Sequence, residues 1–506
     1  MLQFILRRLG VSAIVLLLAS VLVYFLTTIS GDPLAGMREQ ANDPKVAAQM
    51  QARIVALDLD TPWFLRYLKW LGGAVGCVWG QCNLGNDVNG NAVLDQLGSA
   101  AASTLRLVLL SVVIACIVGI LVGVLTAIRQ YSDFDYIITF ASFVLFSLPV
   151  FWVAVLLKEY AAINYNNWIA NPSFSPAQIV LTAIILGLIV MLFMGGSWKR
   201  RLLSFGIVAA VVGVAMPYFT WLRFWQYPQM GPAVIAVVIL AVGAFALQTT
   251  VGFKERRVWL PALISAVLVM VVYYASWNLL SEPNWWILLG GLVLAIAVPW
   301  ALGVWLGGRF RPQAVGAAMS VTLTGAFLTI VDHLFVTWPG FMALKPRPIS
   351  TIGSNTPNFK GTFWESFLDN GTQLLLPTVV LAVVSIASYS RYTRAAMIDV
   401  QGQDYMRTAR SKGLPERTVI LRHAFRNALI PIVTIVAMDF AAVIGGAVIT
   451  EQVFGWKGMG ELFQTGLKNV DPAPVMAFVL VTGGVAVLFN LLSDVIYALI
   501  DPRIRV

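Results

Sequence analysis

Apolar runs of about twenty residues, separated by polar loops, recur along the whole chain. A run of this length crosses a hydrocarbon core of roughly 30 Å when it is helical. The 506 residues are 59% hydrophobic and 11% charged, and no soluble domain has such a composition. The sequence therefore predicts an all-α, polytopic helical membrane protein with about 12 transmembrane helices.

The first apolar run follows Arg7 and Arg8 and ends near residue 29. It is too long for the apolar part of a signal peptide, and no clean cleavage site follows it. We therefore expect an uncleaved first span whose N-terminus lies in the cytoplasm. Residues 30–101 form a polar segment that we place outside, and the aromatic stretch at residues 63–71 suits the headgroup layer.

Eleven further spans are predicted. The second and third occupy residues 104–128 and 137–157, and Pro149 is expected to kink the third. The last three occupy residues 372–389, 430–450 and 475–499, and the polar residues 339–371 before them are placed outside. The other six lie between these groups, at residues 178–197, 202–222, 233–252, 259–280, 287–307 and 314–337.

The positive charges support this topology. In the region of the six middle spans, eight Lys and Arg residues fall in loops predicted to be cytoplasmic, and Arg223 alone falls outside. The eight are Lys199, Arg200, Arg201, Lys254, Arg256, Arg257, Arg309 and Arg311. The net charge is +10, but the Lys and Arg residues are scattered through such loops instead of forming one patch. This distribution argues against nucleic acid as a partner. Both termini are predicted to be cytoplasmic.

A basic island between two of the spans, residues 403–431, is predicted to form a helix, a tight turn and a second helix. Gly413 supplies a left-handed stop, and Pro415 suits the first turn of the following helix. Tyr405, Met406 and Ala409 make a small apolar face on the first helix. Either the headgroups of the protein's own membrane or a groove on a soluble partner would cover that face.

The residues of this island resemble the cytoplasmic loop of permease subunits in binding-protein-dependent ABC importers, especially the oligopeptide, dipeptide and nickel branch. The similarity lies in Asp404-Tyr405, in Arg407-Thr408-Ala409-Arg410-Ser411-Lys412-Gly413-Leu414, and in His423-Ala424-Phe425-Arg426-Asn427-Ala428-Leu429. Arg407-Thr408-Ala409 stands where the general family motif has Glu-Ala-Ala, so the similarity is to the peptide branch. The residues from Glu451 to Gly460, the pair Asp471-Pro472 and the ending Asp501-Pro502-Arg503-Ile504-Arg505 resemble the same branch.

The resemblance implies a six-helix type I importer core, split by an inserted segment that has no counterpart in the family. Its N-terminal half is residues 1–160, the insert is residues 161–370, and its C-terminal half is residues 371–506 with a coupling loop at 391–430. The resemblance assigns ATPase coupling to Asp404, Tyr405, Arg407, Thr408, Ala409, Arg410, Lys412, Gly413 and Leu414. For the six inserted helices we hypothesise a peripheral bundle that serves assembly or stability.

The resemblance also implies the partners: a second permease subunit, two ATPase subunits and an extracytoplasmic solute-binding protein, in the cytoplasmic membrane of a prokaryote. The chain has no glycine-rich motif that would cradle nucleotide phosphates, so any ATP would be bound by the partners. We therefore expect no enzyme activity and no cofactor in this chain. Peptides are the expected solutes, and nickel or another small solute is the alternative.

Few polar residues are candidates for a site. His333 and His423 are far apart without ligand-spaced partners, so no metal site is predicted. Asp439 falls near the middle of a span, where it would line the solute path or be hydrogen-bonded within a helix interface. Cys77 and Cys82 lie in the outside segment, where either a disulfide or two unpaired thiols are compatible with the sequence.

A second functional class is a self-contained, ion-coupled secondary transporter with 12 spans. Such transporters usually carry charges at the membrane midplane and have repeated halves. Charges in the middle of the spans are sparse here, and the halves show no convincing repeat. A third class, a membrane-embedded enzyme, is not supported, because the sequence contains no clustered set of catalytic residues. The basic island favours the importer.

The position of the basic island can be tested by labelling. We expect a cysteine introduced by Ser411→Cys to be protected from a membrane-impermeant thiol reagent in intact cells and labelled after permeabilisation. The background carries serine in place of Cys77, Cys82 and Cys116, the three native cysteines, so that only the introduced thiol can react. Labelling in intact cells would place the island outside and contradict the topology.

Overall fold

The computed structural model describes residues 2–39, 42–194, 197–250, 252 and 255–500. The first helices are α1 Leu2–Ile29, α2 Ala35–Arg38, α3 Pro44–Ala56, α4 Trp63–Gly76, α5 Val93–Ile128, α6 Asp133–Ser147 and α7 Val150–Leu157. The middle helices are α8 Asn164–Ala170, α9 Pro176–Phe193, α10 Trp198–Trp221, α11 Gly231–Thr250, α12 Arg256–Ala275, α13 Trp277–Ser281, α14 Trp285–Leu306 and α15 Arg311–Leu344. The last are α16 Phe363–Gln401, α17 Asp404–Ser411, α18 Glu416–Thr418, α19 Phe425–Phe454, α20 Met459–Lys468 and α21 Pro472–Ile500.

Ten of these helical stretches are long and apolar enough to cross a membrane, and the number rises to 12 if each of two bent pairs counts as one span. The prediction of an all-α, polytopic membrane protein is confirmed. Each of the six runs predicted in the middle of the chain corresponds to one long helix, from α9 to α12 and then α14 and α15. Capping residues explain some boundaries, since Ser175 and Asn284 accept hydrogen bonds from backbone N–H groups in the first turns of α9 and α14.

The prediction that the third span is a single, kinked helix is wrong. The segments Asp133–Ser147 and Val150–Ala170 meet at an angle of 101°, with Pro149 at the break. The physical reason is local: Leu148 is extended, at φ −78° and ψ 130°, as a residue before proline prefers to be. Pro149 then lacks the N–H that would continue α6.

The helices extend beyond the predicted spans into the loops. The tenth predicted span, residues 372–389, lies inside α16, which is 39 residues long. Residues 391–401 of the predicted coupling loop are therefore helical, and the predicted outside loop at 339–371 loses residues at both ends to α15 and α16. Residues 501–505, whose sequence resembles the ending of the peptide branch, lie outside the described residues.

Two compact units divide the described chain. One comprises the residues up to 162, residues 351–354 and those from 373 onward, and the other comprises residues 163–350 and 355–372. The assignment of these regions to a transport core and an insert stays a prediction.

Close approach of α5 and α16 organises the first unit. A Cβ added at Gly123 would lie 2.6 Å from the carbonyl oxygen of Ser390, and one at Gly119 would lie 2.8 Å from Cβ of Tyr389. Only glycine permits this distance between the helices. The spacing, Gly119-Ile-Leu-Val-Gly123, is a sequence signal for helix packing that our sequence analysis missed.

The aromatic stretch after residue 62 forms the helix α4, and one face of this helix packs against other helices. Tyr67 and Trp70 are buried with Tyr24 of α1 and Met476 of α21, while Phe64, Leu65 and Leu68 on the other face are exposed; a place in the headgroup layer stays a prediction. The Tyr67 hydroxyl is 2.8 Å from the Ser20 hydroxyl, so α4 is also tied to α1 by a hydrogen bond. After α4, Cys77 and Cys82 are joined in a disulfide.

The second unit is built around α15, which packs against α11, α12 and α14. Asp332 on α15 is buried, and its carboxylate accepts hydrogen bonds from the N–H groups of Met230 and Gly231 and from the Tyr273 hydroxyl. Its neighbour His333 stacks on Trp277 with ring centroids 4.2 Å apart. Protein groups therefore satisfy this buried aspartate.

The close contact at Gly123 can be tested with a matched glycine on the same helix. We expect Gly123→Ala to destabilise the protein by about 1–3 kcal/mol, because the added methyl group forces α5 and α16 apart. Gly98→Ala is the control, since a Cβ at Gly98 meets nothing within 4 Å. The measurement is thermal unfolding in detergent, and equal melting temperatures for the two variants would contradict the packing.

Candidate coupling and transport site

The basic island forms a helix, a tight turn and a second helix. The first helix, α17, ends at Ser411, and Gly413 follows with a left-handed φ of 72°. A side chain is disfavoured at such a φ, which explains glycine at this position. The Arg410 guanidinium and the Glu416 carboxylate are 2.9 Å apart across the turn, and this pairing holds the pKa of Glu416 below its usual value.

The apolar face of α17 is covered by the protein's own helices. Met406 and Ala409 are buried in a cluster that contains Ala127 of α5, Met397 of α16 and Ala428 of α19. Both covers considered from the sequence, headgroups or a soluble partner, were therefore wrong for these two residues. Sequence periodicity shows that a face is apolar, but only the tertiary structure shows what lies against it.

The opposite face of α17 is exposed. Tyr405, predicted to belong to the apolar face, is 42% exposed, and its hydroxyl accepts a hydrogen bond from the Asn427 side chain. The other exposed residues of the predicted set are Asp404, Arg407, Thr408, Arg410, Lys412, Gly413 and Leu414. Ala409 points inward, so a partner bound at this face would meet the polar residues and not Ala409.

The buried cluster under α17 joins the ends of three long helices. Because Met406 belongs to one packed cluster with residues of α5, α16 and α19, a displacement of α17 would be transmitted to all three. A second tie lies close by: the Arg394 guanidinium on α16 donates two hydrogen bonds to the Asp135 carboxylate on α6, at 2.7 and 2.8 Å. No local sequence pattern pairs these two residues, which are 259 positions apart.

Asp439, the candidate in the middle of α19, lies at a contact with α16. One carboxylate oxygen accepts hydrogen bonds from the Tyr389 hydroxyl at 2.6 Å and the Ser385 hydroxyl at 2.9 Å. This geometry matches the second sequence alternative, a carboxyl hydrogen-bonded within a helix interface. A role in the solute path stays a prediction.

The turn after α19 wraps around the Glu451 carboxylate. Its oxygens accept hydrogen bonds from the Thr104 hydroxyl at 2.5 Å and from the N–H of Gly460 at 2.7 Å. A Cβ at Gly458 would lie 2.4 Å from the same carboxylate, so glycine is required there. This turn leads into α20 and holds it against α5.

A second buried carboxylate, that of Asp471, directly precedes α21. Its carboxylate is buried and accepts hydrogen bonds from the N–H groups of Val88 and Ala473. Burial raises the pKa of Asp471 to about 6, although the two hydrogen bonds lower it. The contact with Val88 links sequence positions 383 residues apart, which no local pattern reveals.

Comparison with known proteins decides the family. A family described as the binding-protein-dependent transport system inner membrane component matches residues 119–506, which is more than half of the chain. The chain belongs to this family. The match begins on α5 and includes α17, the buried cluster beneath it and Asp439, whereas Val88 and Thr104 precede it.

Individual relatives carry names from peptide transport. This inner membrane component is 43% identical over 185 residues to the oligopeptide transport system permease protein OppB of Mycobacterium tuberculosis, covering 37% of the present chain and 56% of OppB. It is 42% identical over 140 residues to the oligopeptide transport system permease protein AppB of Bacillus subtilis, covering 28% and 44% of the two chains. It is 39% identical over 140 residues to the dipeptide transport system permease protein DppB of Escherichia coli K12, covering 28% and 41%.

The inner membrane component thus spans about half the length of the curated relatives that it matches. The similarity confirms the predicted resemblance to the oligopeptide and dipeptide permeases. The matched stretches of 140–185 residues are far shorter than the 388 residues from 119 to 506.

Asp471 makes stability depend on pH. A raised pKa contributes stability that is fully present below about 3.8 and is lost as the pH rises through about 6. We expect the wild type to gain about 2 kcal/mol relative to Asp471→Asn between pH 7 and pH 4. Thermal unfolding in detergent at several pH values measures this difference.

The control for this experiment is Asp60→Asn, which removes an exposed carboxylate from the same outer region. We expect its pH profile to follow that of the wild type. A pH profile of Asp471→Asn that also follows the wild type would show that burial does not shift this carboxyl.

Proposed function

We propose that this chain is a transmembrane permease subunit of an ATP-driven importer that carries peptides across the cytoplasmic membrane. The observation that supports it is the construction of α17, whose exposed polar face is free for a partner while Met406 and Ala409 fix the helix to its own chain. A helix held in this way can pass a force from a soluble partner to several membrane helices.

The partners in this proposal are two ATPase subunits, a second permease subunit and an extracytoplasmic solute-binding protein. The family description, an inner membrane component of a binding-protein-dependent transport system, supports the existence of a separate binding protein. ATP would be bound and hydrolysed by the ATPase subunits, since this chain has no glycine-rich phosphate motif. The chain itself would have no catalytic role.

Movement would begin at α17. Closure of an ATPase dimer would shift the exposed residues Arg407 and Arg410, and the buried cluster would carry that shift into α5, α16 and α19. Asp439 lies on the α16–α19 contact, so the proposal places its hydrogen bonds with Ser385 and Tyr389 beside the path that opens. In such a mechanism the two helices would separate or slide at this point.

Peptides are the proposed solutes because the relatives OppB, AppB and DppB are named for oligopeptide and dipeptide transport. Nickel or another small solute is the alternative, because the binding protein that selects the solute would be a separate chain. Both termini are proposed to lie in the cytoplasm, as the placement of basic residues indicates.

Co-purification tests the proposal directly. A tag on this chain, used with membranes of the native host, should recover two ATPase subunits and a second permease, and the complex in proteoliposomes should take up labelled peptides only with ATP. Recovery of the chain alone, with uptake that needs an ion gradient and no ATP, would favour the secondary transporter.

A variant at α17 tests the coupling itself. We expect Arg407→Glu to reduce ATP-dependent uptake by roughly tenfold or more, because it reverses the charge of the exposed face that would meet the ATPase. The matched control is Arg200→Glu, an exposed residue of another predicted cytoplasmic loop. Equal uptake by the two variants would show that α17 is not the coupling element.

A further inference from the structure

The second unit contains an apolar groove on its long helices. A cavity of about 350 Å³ lies between α11, α12 and α15, and its size is in the range of ligand pockets, about 300–1,000 Å³. Apolar side chains line it, among them Leu240, Gly243, Ala244, Leu247, Trp259 and Leu263. Leu240 and Leu263 are exposed, so the groove is open towards the surroundings of the helices.

The groove occupies one half of the membrane thickness. On α11 its lining runs from Ile239 to Leu247, which is three residues from the end of the helix at Thr250. At 1.5 Å per residue, the deepest lining residue is about 16 Å from that end, or half of a roughly 30 Å core. With α11 spanning the membrane, the groove would therefore face a single leaflet, where acyl chains would surround it.

Four arginines stand at the end of the groove where α12 and α15 begin. Arg256, Arg257, Arg309 and Arg311 are all exposed there. A Cβ built on Gly308 would lie 2.9 Å from a guanidinium nitrogen of Arg257, so this arginine reaches the segment just before α15. The arginines of the two helices thus form one group, which we call the arginine cluster.

The charge of the arginine cluster is largely uncompensated. Glu255 is the nearby acidic residue, 3.8 Å from the Arg309 guanidinium. Within the described part of the chain, Arg256, Arg257 and Arg311 have no ion pair. Trp259, at the same end of the groove, has the amphipathic ring that is enriched at membrane interfaces.

We propose that this groove and the arginine cluster together bind an anionic phospholipid. The apolar groove would hold an acyl chain, and the guanidinium groups would pair with the phosphate, with which they form charge-assisted hydrogen bonds. Basic pockets between membrane helices on the cytoplasmic side are suited to such headgroups, and the positive charges place this end of the helices in the cytoplasm. Lipid binding at this groove would not depend on which solute the protein transports.

The test uses the full-length protein in mixed micelles of phosphatidylglycerol and phosphatidylcholine in equal amounts. Native mass spectrometry then counts the lipids of each kind that stay bound. We expect the wild type to retain phosphatidylglycerol in preference to phosphatidylcholine. The double variant Arg256→Gln/Arg257→Gln should lower this preference by roughly fivefold for each arginine removed.

Two further variants separate the parts of the site. Ala244→Phe fills the groove and should reduce the retention of both lipids, while leaving the arginine cluster intact. Lys199→Gln/Arg200→Gln removes two exposed basic residues from another predicted cytoplasmic loop and should leave the preference unchanged. The unfolding temperature of each variant is measured in parallel, and the double arginine variant tests the proposal even if Ala244→Phe does not fold.

Three results would overturn the proposal. The first is a wild type that retains both lipids equally. The second is the same loss of preference in the Lys199→Gln/Arg200→Gln control, which would show a general effect of surface charge. The third is a lipid-free dimer whose association Ala244→Phe abolishes, which would identify a second copy of the chain as the occupant of the groove.

Discussion

The hydrocarbon layer is the constraint on which the rest of this structure depends. It offers no water to the backbone, so each segment that crosses it must satisfy its own N–H and C=O groups, and a helix does this within one segment. The same layer leaves large apolar side chains such as Leu6, Ile14 and Leu18 exposed without cost on α1. Contacts between helices must therefore come from close packing and from polar groups, because apolar burial alone distinguishes poorly between lipid and protein.

Both kinds of contact meet at α16. Gly119 and Gly123 let α5 approach it closely, and Tyr389 on α16 lies at one of these contacts while its hydroxyl donates to Asp439 of α19. The cluster around Met406 then joins the same three helices at their ends beside α17. The proposed coupling helix and the charge in the middle of α19 are thus connected through one packed group of helices, which gives the proposed transmission a physical route.

The opposite ends of α5 and α19 are held by buried carboxylates. The Glu451 carboxylate accepts hydrogen bonds from Thr104 and Gly460, and the Asp471 carboxylate accepts them from Val88 and Ala473. Each carboxylate organises backbone N–H groups of a turn that lacks regular hydrogen bonding, and these bonds offset part of the cost of burying the charge. Glycine is needed at positions such as Gly458 because the chain passes so close to the carboxylate.

The sequence by itself determined the class of fold, the positions of most long helices and the helix, turn and helix of the basic island. Those properties follow from local quantities: the length of an apolar run, the charges in its loops and the conformations that Gly413 and Pro415 prefer. Even the break at Pro149 has a local cause, although its size does not follow from the residue type alone.

Only the tertiary structure decided what each face touches. It turned Met406 and Ala409 towards their own chain, buried Tyr67 and Trp70, and gave Asp439 its hydroxyl partners on another helix. The ion pair of Arg394 with Asp135 and the bond from Val88 to Asp471 join residues hundreds of positions apart. A single sequence records no such distances, because the pairing depends on how whole helices pack and not on any residue's neighbours along the chain.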